Sequence, residues 1–212
     1  MSTTLPHITA EALKAGILDM CGIATEMLRL TRDAFLQDIP TTLDRVAALG
    51  HDLHLKEKRW TDHVATQIQD RPWSLGSAEH LAFVPMALER IGDSVDALSR
   101  RIARIHRDGV PFTDRAFMKV TELFNRTASL MDLIATAIRT ADQGALTRIR
   151  EDGAAFEVQC EEAALRHQER ILNGACAPRA SSIFLAMLDH FREVERYVQR
   201  IASAVEKTFP TP

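Results

Sequence analysis

The sequence predicts an all-α protein of six long helices, arranged as two repeated three-helix bundles packed side by side. Three observations lead to this fold class. Apolar residues recur every three or four positions between short breaks, which is the spacing of a helix with one buried face. No segment sustains the two-residue alternation of a strand. The composition is rich in Ala, Leu, Arg, Glu and Met, which favour helix.

Five breaks divide the chain into these six helices. They are QDIP (37–40), QDRPWSLGS (69–77), HRDGVPF (106–112), ADQG (141–144) and LNGACAPRAS (172–181). Each segment between them has about 25–30 residues, which is long enough to pack in a bundle. We expect N-caps at Ser77 and Thr113, because an acidic residue follows each in the next turn. Pro85 should kink the third helix, since proline removes one of its hydrogen bonds.

The second half of the chain repeats the first. LPHITAEALKA matches VPFTDRAFMKV, and the break QDIP matches ADQG. The apolar stripes of the third and sixth helices align at an offset of 103 residues, pairing Leu88 with Phe191, Ile91 with Val194, Val95 with Val198 and Leu98 with Ile201. We therefore expect two three-helix units, over residues 1–108 and 109–212, that together form one fold.

Charge and cysteine content exclude several classes of protein. A formal net charge of −3 over 212 residues argues against nucleic-acid binding, which usually needs a strong basic excess. Three cysteines without a CxxC spacing indicate neither a disulfide framework nor a zinc knuckle, and they fit a reducing cytosol as core residues. The first residues lack a signal-peptide pattern, and no stretch approaches the roughly 18 apolar residues of a membrane span. We expect a cytoplasmic protein.

An acidic face on the third helix is the main functional signal. Glu89, Asp93 and Asp96 lie at i, i+4 and i+7, where like charges destabilise a helix. Gly92 adds a further cost inside the same helix. A cation held by the carboxylates would account for the acids and for the missing side chain. A solvated acidic surface is the alternative.

The second helix supplies two further candidate ligands. Glu57 interrupts the apolar stripe at the angle of Trp60 and Val64, and His54 lies one turn earlier. A buried carboxylate needs a hydrogen-bonding partner or a cation. The alternatives are a boundary histidine at position 54 and a carboxylate that reaches solvent at the bundle edge at position 57.

The segment LERIGD, residues 88–93, resembles the signature of the PhoU family, the regulators of bacterial phosphate uptake. That family carries an acidic E-x-x-x-D motif on the third helix of each of two three-helix repeats. Glu89 and Asp93 match this motif, and the six-helix plan covers essentially the whole chain. The resemblance implies a PhoU-like fold and metal binding, frequently of iron or zinc clusters, on the bundle surface through these acids.

The second repeat departs from that pattern. At the offset of 103, Glu89 corresponds to Arg192 and Asp93 to Arg196. Since cations do not ligate cations, we expect one iron or zinc site at most and the loss of the second. Arg192 and Arg196 are expected to pair with nearby acids or to meet an anion. Glu193, one residue out of register, would restore a weak site only if the alignment slipped.

The resemblance also implies a function without catalysis. Such a protein restrains phosphate uptake through contacts with a phosphate transporter and a sensor kinase. We expect a homodimer, peripheral association with the membrane and no nucleic-acid partner.

Two other functions stay open. One is an accessory protein of a sodium–phosphate symporter or low-affinity phosphate carrier. The other is a helical phosphotransfer or scaffold module with an exposed histidine as acceptor, the candidates being His63, His80, His167 and His190. A ferritin-like di-metal oxidase is disfavoured, because no histidine follows a glutamate by three positions.

Overall fold

A computed structural model of the chain describes residues 9–37, 40–70 and 80–208, except for the side chains of residues 10, 40 and 64–70. The described residues form six α-helices and no strand. The helices are α1 (Ala10–Gln37), α2 (Pro40–Asp70), α3 (Val84–Arg107), α4 (Asp114–Thr140), α5 (Gln143–Leu172) and α6 (Pro178–Thr208). The predicted all-α fold class is confirmed.

Local side-chain chemistry sets several helix ends. The Thr113 hydroxyl accepts a hydrogen bond from the backbone N–H of Ala116 at 3.3 Å and caps α4, as predicted. The Asp142 carboxylate caps α5 by accepting from the N–H of Gly144 at 2.8 Å. Gly109, just after α3, has a φ of 57°, which glycine adopts without steric strain. The cap predicted at Ser77 lies outside the described residues.

Pro85 does not kink α3, so that prediction is wrong. The helix begins at Val84, which places Pro85 in its first turn. Backbone N–H groups of a first turn have no acceptor within the helix, so proline costs no hydrogen bond there.

The six helices pack as two groups of three. α1, α2 and α3 contact one another, and so do α4, α5 and α6. Between the groups, α1 packs on α4 and α3 packs on α6. α1 corresponds to α4 in the repeat, and α3 to α6, so each half presents the same two helices to the other. The division predicted between residues 108 and 109 falls in the turn between α3 and α4.

Aromatic side chains join the two groups into one core. Phe35 of α1 stacks on Phe117 of α4 with ring centroids 4.9 Å apart. Phe35 also lies against Phe124 of α4 with ring centroids 6.0 Å apart, and both of these rings are buried. Burial of one such side chain stabilises a fold by about 1.5–3 kcal/mol. The apolar core is therefore continuous across the repeat.

The three cysteines are free thiols in two kinds of environment. Cys21 and Cys160 are buried among apolar side chains, as predicted. Cys176 is only half-buried and lines a small apolar cavity beside Phe112 and Phe184, so the prediction of a core residue is wrong there. Among the described helices, none carries an apolar run sufficient to cross a bilayer.

Candidate functional site

The structure brings two of the predicted ligands together. His54 of α2 places Nδ1 at 3.1 Å from Oε1 of Glu89 on α3. The Glu89 side chain is 15% exposed, whereas that of His54 is 57% exposed. The pair therefore lies at the edge of the first bundle, where the carboxylate is mostly buried and the imidazole is exposed to solvent. An imidazole and a carboxylate at this separation suit zinc or iron as two ligands of a larger set.

Arg90 lies next to the acidic motif and touches both of its acids. Its Nη1 donates to Oδ2 of Asp93 at 3.2 Å, and its Nε lies 3.8 Å from Oε2 of Glu89. The guanidinium thus supplies the positive charge that relieves repulsion between the two carboxylates. Sequence reasoning missed this role, although the spacing of three residues between Arg90 and Asp93 is that of a helical ion pair.

The remaining predicted ligands have partners elsewhere. Asp96 pairs with Arg100 one turn further along α3. Glu57 accepts a hydrogen bond from the Thr61 hydroxyl at 2.6 Å on its own helix. Over residues 9–37, 40–70 and 80–208, no group of three or more His, Cys, Asp or Glu side chains is arranged to hold a metal ion. A metal at His54 and Glu89 would need Asp93 released from Arg90 as its third ligand.

Gly92 serves helix packing, and the expectation that it makes room for a cation is wrong. The residue is buried, and a Cβ built on it would lie 2.5 Å from Cδ2 of Leu53 on α2. Leu53 is itself only 1% exposed. The missing side chain therefore lets α2 and α3 approach closely, which also brings His54 to Glu89.

The second bundle holds an ion pair at the same place, with its carboxylate on α5 and its cation on α6. Arg192 of α6 donates from Nε to Oε1 of Glu157 on α5 at 2.9 Å, with a second bond from Nη2. At the offset of 103, Arg192 corresponds to Glu89 and Glu157 to His54. The hydrogen bond from Arg192 holds the pKa of the Glu157 carboxyl below its usual range. The prediction that Arg192 pairs with a nearby acid is confirmed.

Glu193 also has a partner, across the interface between the bundles. The Ser94 hydroxyl of α3 donates to its Oε2 at 3.2 Å. The side chain thus points toward α3 and away from the ion pair of Arg192. This placement gives no support to a second metal site through Glu193.

His167 is unsuited to the phosphotransfer role that the sequence left open. Its side chain is 2% exposed, and its ring lies on Phe184 with centroids 4.5 Å apart. Burial, together with the nearby Arg170 guanidinium, lowers the pKa of the imidazole. An acceptor for a phosphoryl group has to be reachable by its partner protein.

The fold is that of two solved bacterial proteins. PhoU from Pseudomonas aeruginosa superposes with a TM-score of 0.84 at 15% identity, over 93% of this chain and 95% of that one. The phosphate transport system regulatory protein PhoU from Streptococcus pneumoniae superposes with a TM-score of 0.79 at 9% identity, over 95% of each chain. No protein-family model and no curated protein sequence matches the chain. From end to end, the described helices therefore have the PhoU fold of two repeated three-helix bundles.

Proposed function

We propose that this chain is a non-enzymatic regulator of phosphate uptake. The observation that carries the proposal is the superposition on two PhoU structures over nearly the whole length of each chain. One of these is described as a phosphate transport system regulatory protein. The LERIGD segment adds support, since it falls on the third helix of the first bundle, as the resemblance requires. Fold alone does not fix function, so the local motif matters.

The proposed partners are a phosphate transporter and a sensor kinase at the cytoplasmic membrane. The protein would work in the cytoplasm as a homodimer and reach the membrane peripherally.

The proposed metal site is a single one, at the edge between α2 and α3. His54 and Glu89 would be its first ligands, and Asp93 would join them once Arg90 turned away. Iron or zinc suits these donors. Asp96 and Glu57 would contribute only after leaving Arg100 and Thr61. The Arg192–Glu157 pair supports the loss of the second site, because a guanidinium stands where a ligand would be.

Deletion of the gene in its host tests the function. Uptake of radiolabelled phosphate by cells grown with ample phosphate should rise, and a plasmid copy of the gene should restore it. Unchanged uptake in the deletion strain, with unchanged expression of the phosphate-starvation response, would refute the proposal.

A further inference from the structure

A basic cavity in the second bundle lies between α4 and α5, far along the chain from the acidic motif. Its volume is about 330 Å³. Its wall consists of Arg115, Lys119, Gln159, Glu162, Ala163, Arg166, Arg170 and Phe184. Four cationic side chains thus face one carboxylate. Cavities of this size accommodate small organic ligands.

Two of the four cations are without a carboxylate partner among the described residues. Lys119 pairs with Glu122 at 2.6 Å and Arg166 with Glu162 at 2.9 Å. In contrast, the described part of the chain offers neither Arg115 nor Arg170 an ion pair. Arg170 is held by a bond from Nη2 to Nδ1 of His167 at 2.7 Å, which fixes the guanidinium against the cavity wall. The cavity therefore carries uncompensated positive charge.

Two polar atoms in the wall add unmet hydrogen-bonding capacity. Oε1 of Gln159 and Nε of Arg170 are both buried, and neither has a hydrogen-bond partner among the described residues. Buried polar groups are nearly always paired in native proteins, so such atoms call for a partner. One is an acceptor and the other a donor, which suits a ligand that carries a hydroxyl as well as an anionic group.

The first bundle holds a smaller counterpart of this cavity. Lys119, Ala163 and Arg166 correspond, at the offset of 103, to Gly16, Trp60 and His63, which line a cavity at the matching place. There the Trp60 indole lies so close to Gly16 that any Cβ at position 16 would overlap it. Ala163 removes the ring from the second bundle, and Lys119 adds a cation where glycine stood. The cavity of the second bundle is therefore larger than its counterpart, at about 330 Å³ against about 260 Å³, and it carries one more cation at the position of Gly16.

We propose that this cavity binds the phosphoryl group of a small phosphate monoester. A phosphate monoester carries close to two negative charges at neutral pH and three acceptor oxygens, which match two unpaired guanidinium groups. Gln159 would accept from a hydroxyl of the organic part, and Ala163 and Phe184 would provide its apolar floor. The proposal is independent of phosphate regulation, because it rests on the charge and shape of the second bundle alone.

Calorimetric titration of the intact protein tests the site and the source of the phosphoryl group. The probes are glycerol phosphate, ribose phosphate and adenosine monophosphate, with inorganic phosphate in a separate arm and ribose as the neutral control. We expect at least one monoester to bind, inorganic phosphate to bind more weakly because it leaves the cavity mostly unfilled, and ribose not to bind. Absence of binding by every monoester, or tighter binding of inorganic phosphate than of any monoester, would overturn the proposal.

Variants place the binding in the cavity. Arg115→Gln should weaken binding about tenfold, since it removes a charge-assisted contact, and Lys119→Gln should weaken it less, because Lys119 already pairs with Glu122. Arg148→Gln is the matched control, because Arg148 is exposed on α5 and outside the cavity. Equal loss in Arg148→Gln would indicate a general effect of surface charge and would overturn the assignment.

The double substitution Lys119→Gly/Ala163→Trp gives the second bundle the glycine and tryptophan of the first, which removes one cation and places an indole ring in the cavity. It should abolish binding while circular dichroism still shows the native helix content. Retained binding in this folded variant would overturn the proposal. If the variant does not fold, the Arg115→Gln and Lys119→Gln titrations decide the question by themselves.

Discussion

Arg29 on α1 donates from Nη2 to Oδ1 of Asp132 on α4 at 2.9 Å, and these two residues occupy equivalent positions of the repeat, 103 residues apart. One position of the three-helix unit therefore meets its own counterpart where the bundles join. The two side chains remain 53% and 59% exposed. The contact lies where the two halves face each other through equivalent helices, since α1 packs on α4 and α3 packs on α6.

This exposed pair should contribute little to stability. A double-mutant cycle with Arg29→Ala and Asp132→Ala should give a coupling energy of about 0.2–1 kcal/mol, because solvent screens the charges. Chemical denaturation of the four proteins measures it. A coupling well above that range would show that the pair is shielded from solvent more than its exposure indicates.

Gly92→Ala should lower the free energy of unfolding by about 1–3 kcal/mol, through overpacking against Leu53. The matched control is Gly22→Ala in α1, where a Cβ would have no neighbour within 4 Å. That substitution should instead stabilise the protein, by up to about 1 kcal/mol, because alanine favours helix. Stabilisation by both substitutions in urea denaturation would contradict the close approach of α2 and α3.

The three thiols should differ in reactivity. Burial raises the pKa of Cys21 to about 11 and that of Cys160 to about 12, so both stay protonated at mildly alkaline pH. Cys176 is half-buried and should be the one that reacts quickly with a disulfide reagent in the native protein. All three should react once the chain is denatured. Fast labelling of Cys160 in the native state, identified by mass spectrometry, would disagree with the packing of α5.

Glu195 and Glu157 should give the stability opposite dependences on pH. Burial raises the pKa of Glu195, so its stabilising contribution is full below its unfolded pKa and is lost as pH rises through the folded value. The bond from Arg192 lowers the pKa of Glu157, so its contribution is present above the unfolded pKa and is lost as pH falls. Compared with the wild type, Glu195→Gln should therefore have a more favourable effect on the melting temperature at neutral pH than at acidic pH. Glu157→Gln should have a less favourable effect at neutral pH than at acidic pH. Parallel pH profiles for the two variants would count against this account.

Metal binding should depend on the first motif alone. Protein purified without chelator or histidine tag should contain iron or zinc, and Glu89→Ala/Asp93→Ala should lack it. Arg90→Gln should tighten binding about tenfold, since the guanidinium no longer competes for the carboxylates. Asp189→Ala, an exposed acid on α6, is the control. Mass spectrometry of the metal content measures all four proteins. No metal in the wild type, even after soaking with iron, zinc, manganese and magnesium, would eliminate the site.

The sequence predicted the helices well because their ends carry recognisable chemistry. Breaks rich in Gly, Pro and Asp separate the apolar stripes, and Thr113 caps α4 as its position indicates. The predicted kink at Pro85 was wrong because the periodicity of apolar residues does not distinguish the first turn of a helix from its interior. The prediction for Gly92 was wrong because the angular position of a residue on its own helix does not show how closely a neighbouring helix packs.

The candidate site was predictable in part. The repeat alignment and the acidic spacing identified His54 and Glu89, which are in contact. The alignment and the spacing did not reveal that Arg90, Arg100 and Thr61 bond to the other acids. Several neighbouring side chains could bond to each acid, and only the side-chain geometry decides between them. Comparison of the halves was more informative than the motif alone, because it anticipated the pairing of Arg192.

The self-facing position shared by Arg29 and Asp132 limits the symmetry that the fold can have. A three-helix chain that paired with an identical copy would place arginine against arginine there, or aspartate against aspartate. The attractive pair can form only when the two halves carry different residues at this position, as they do here. A single chain that contains both halves can therefore hold two different residues at one self-facing position, which a dimer of identical three-helix chains cannot.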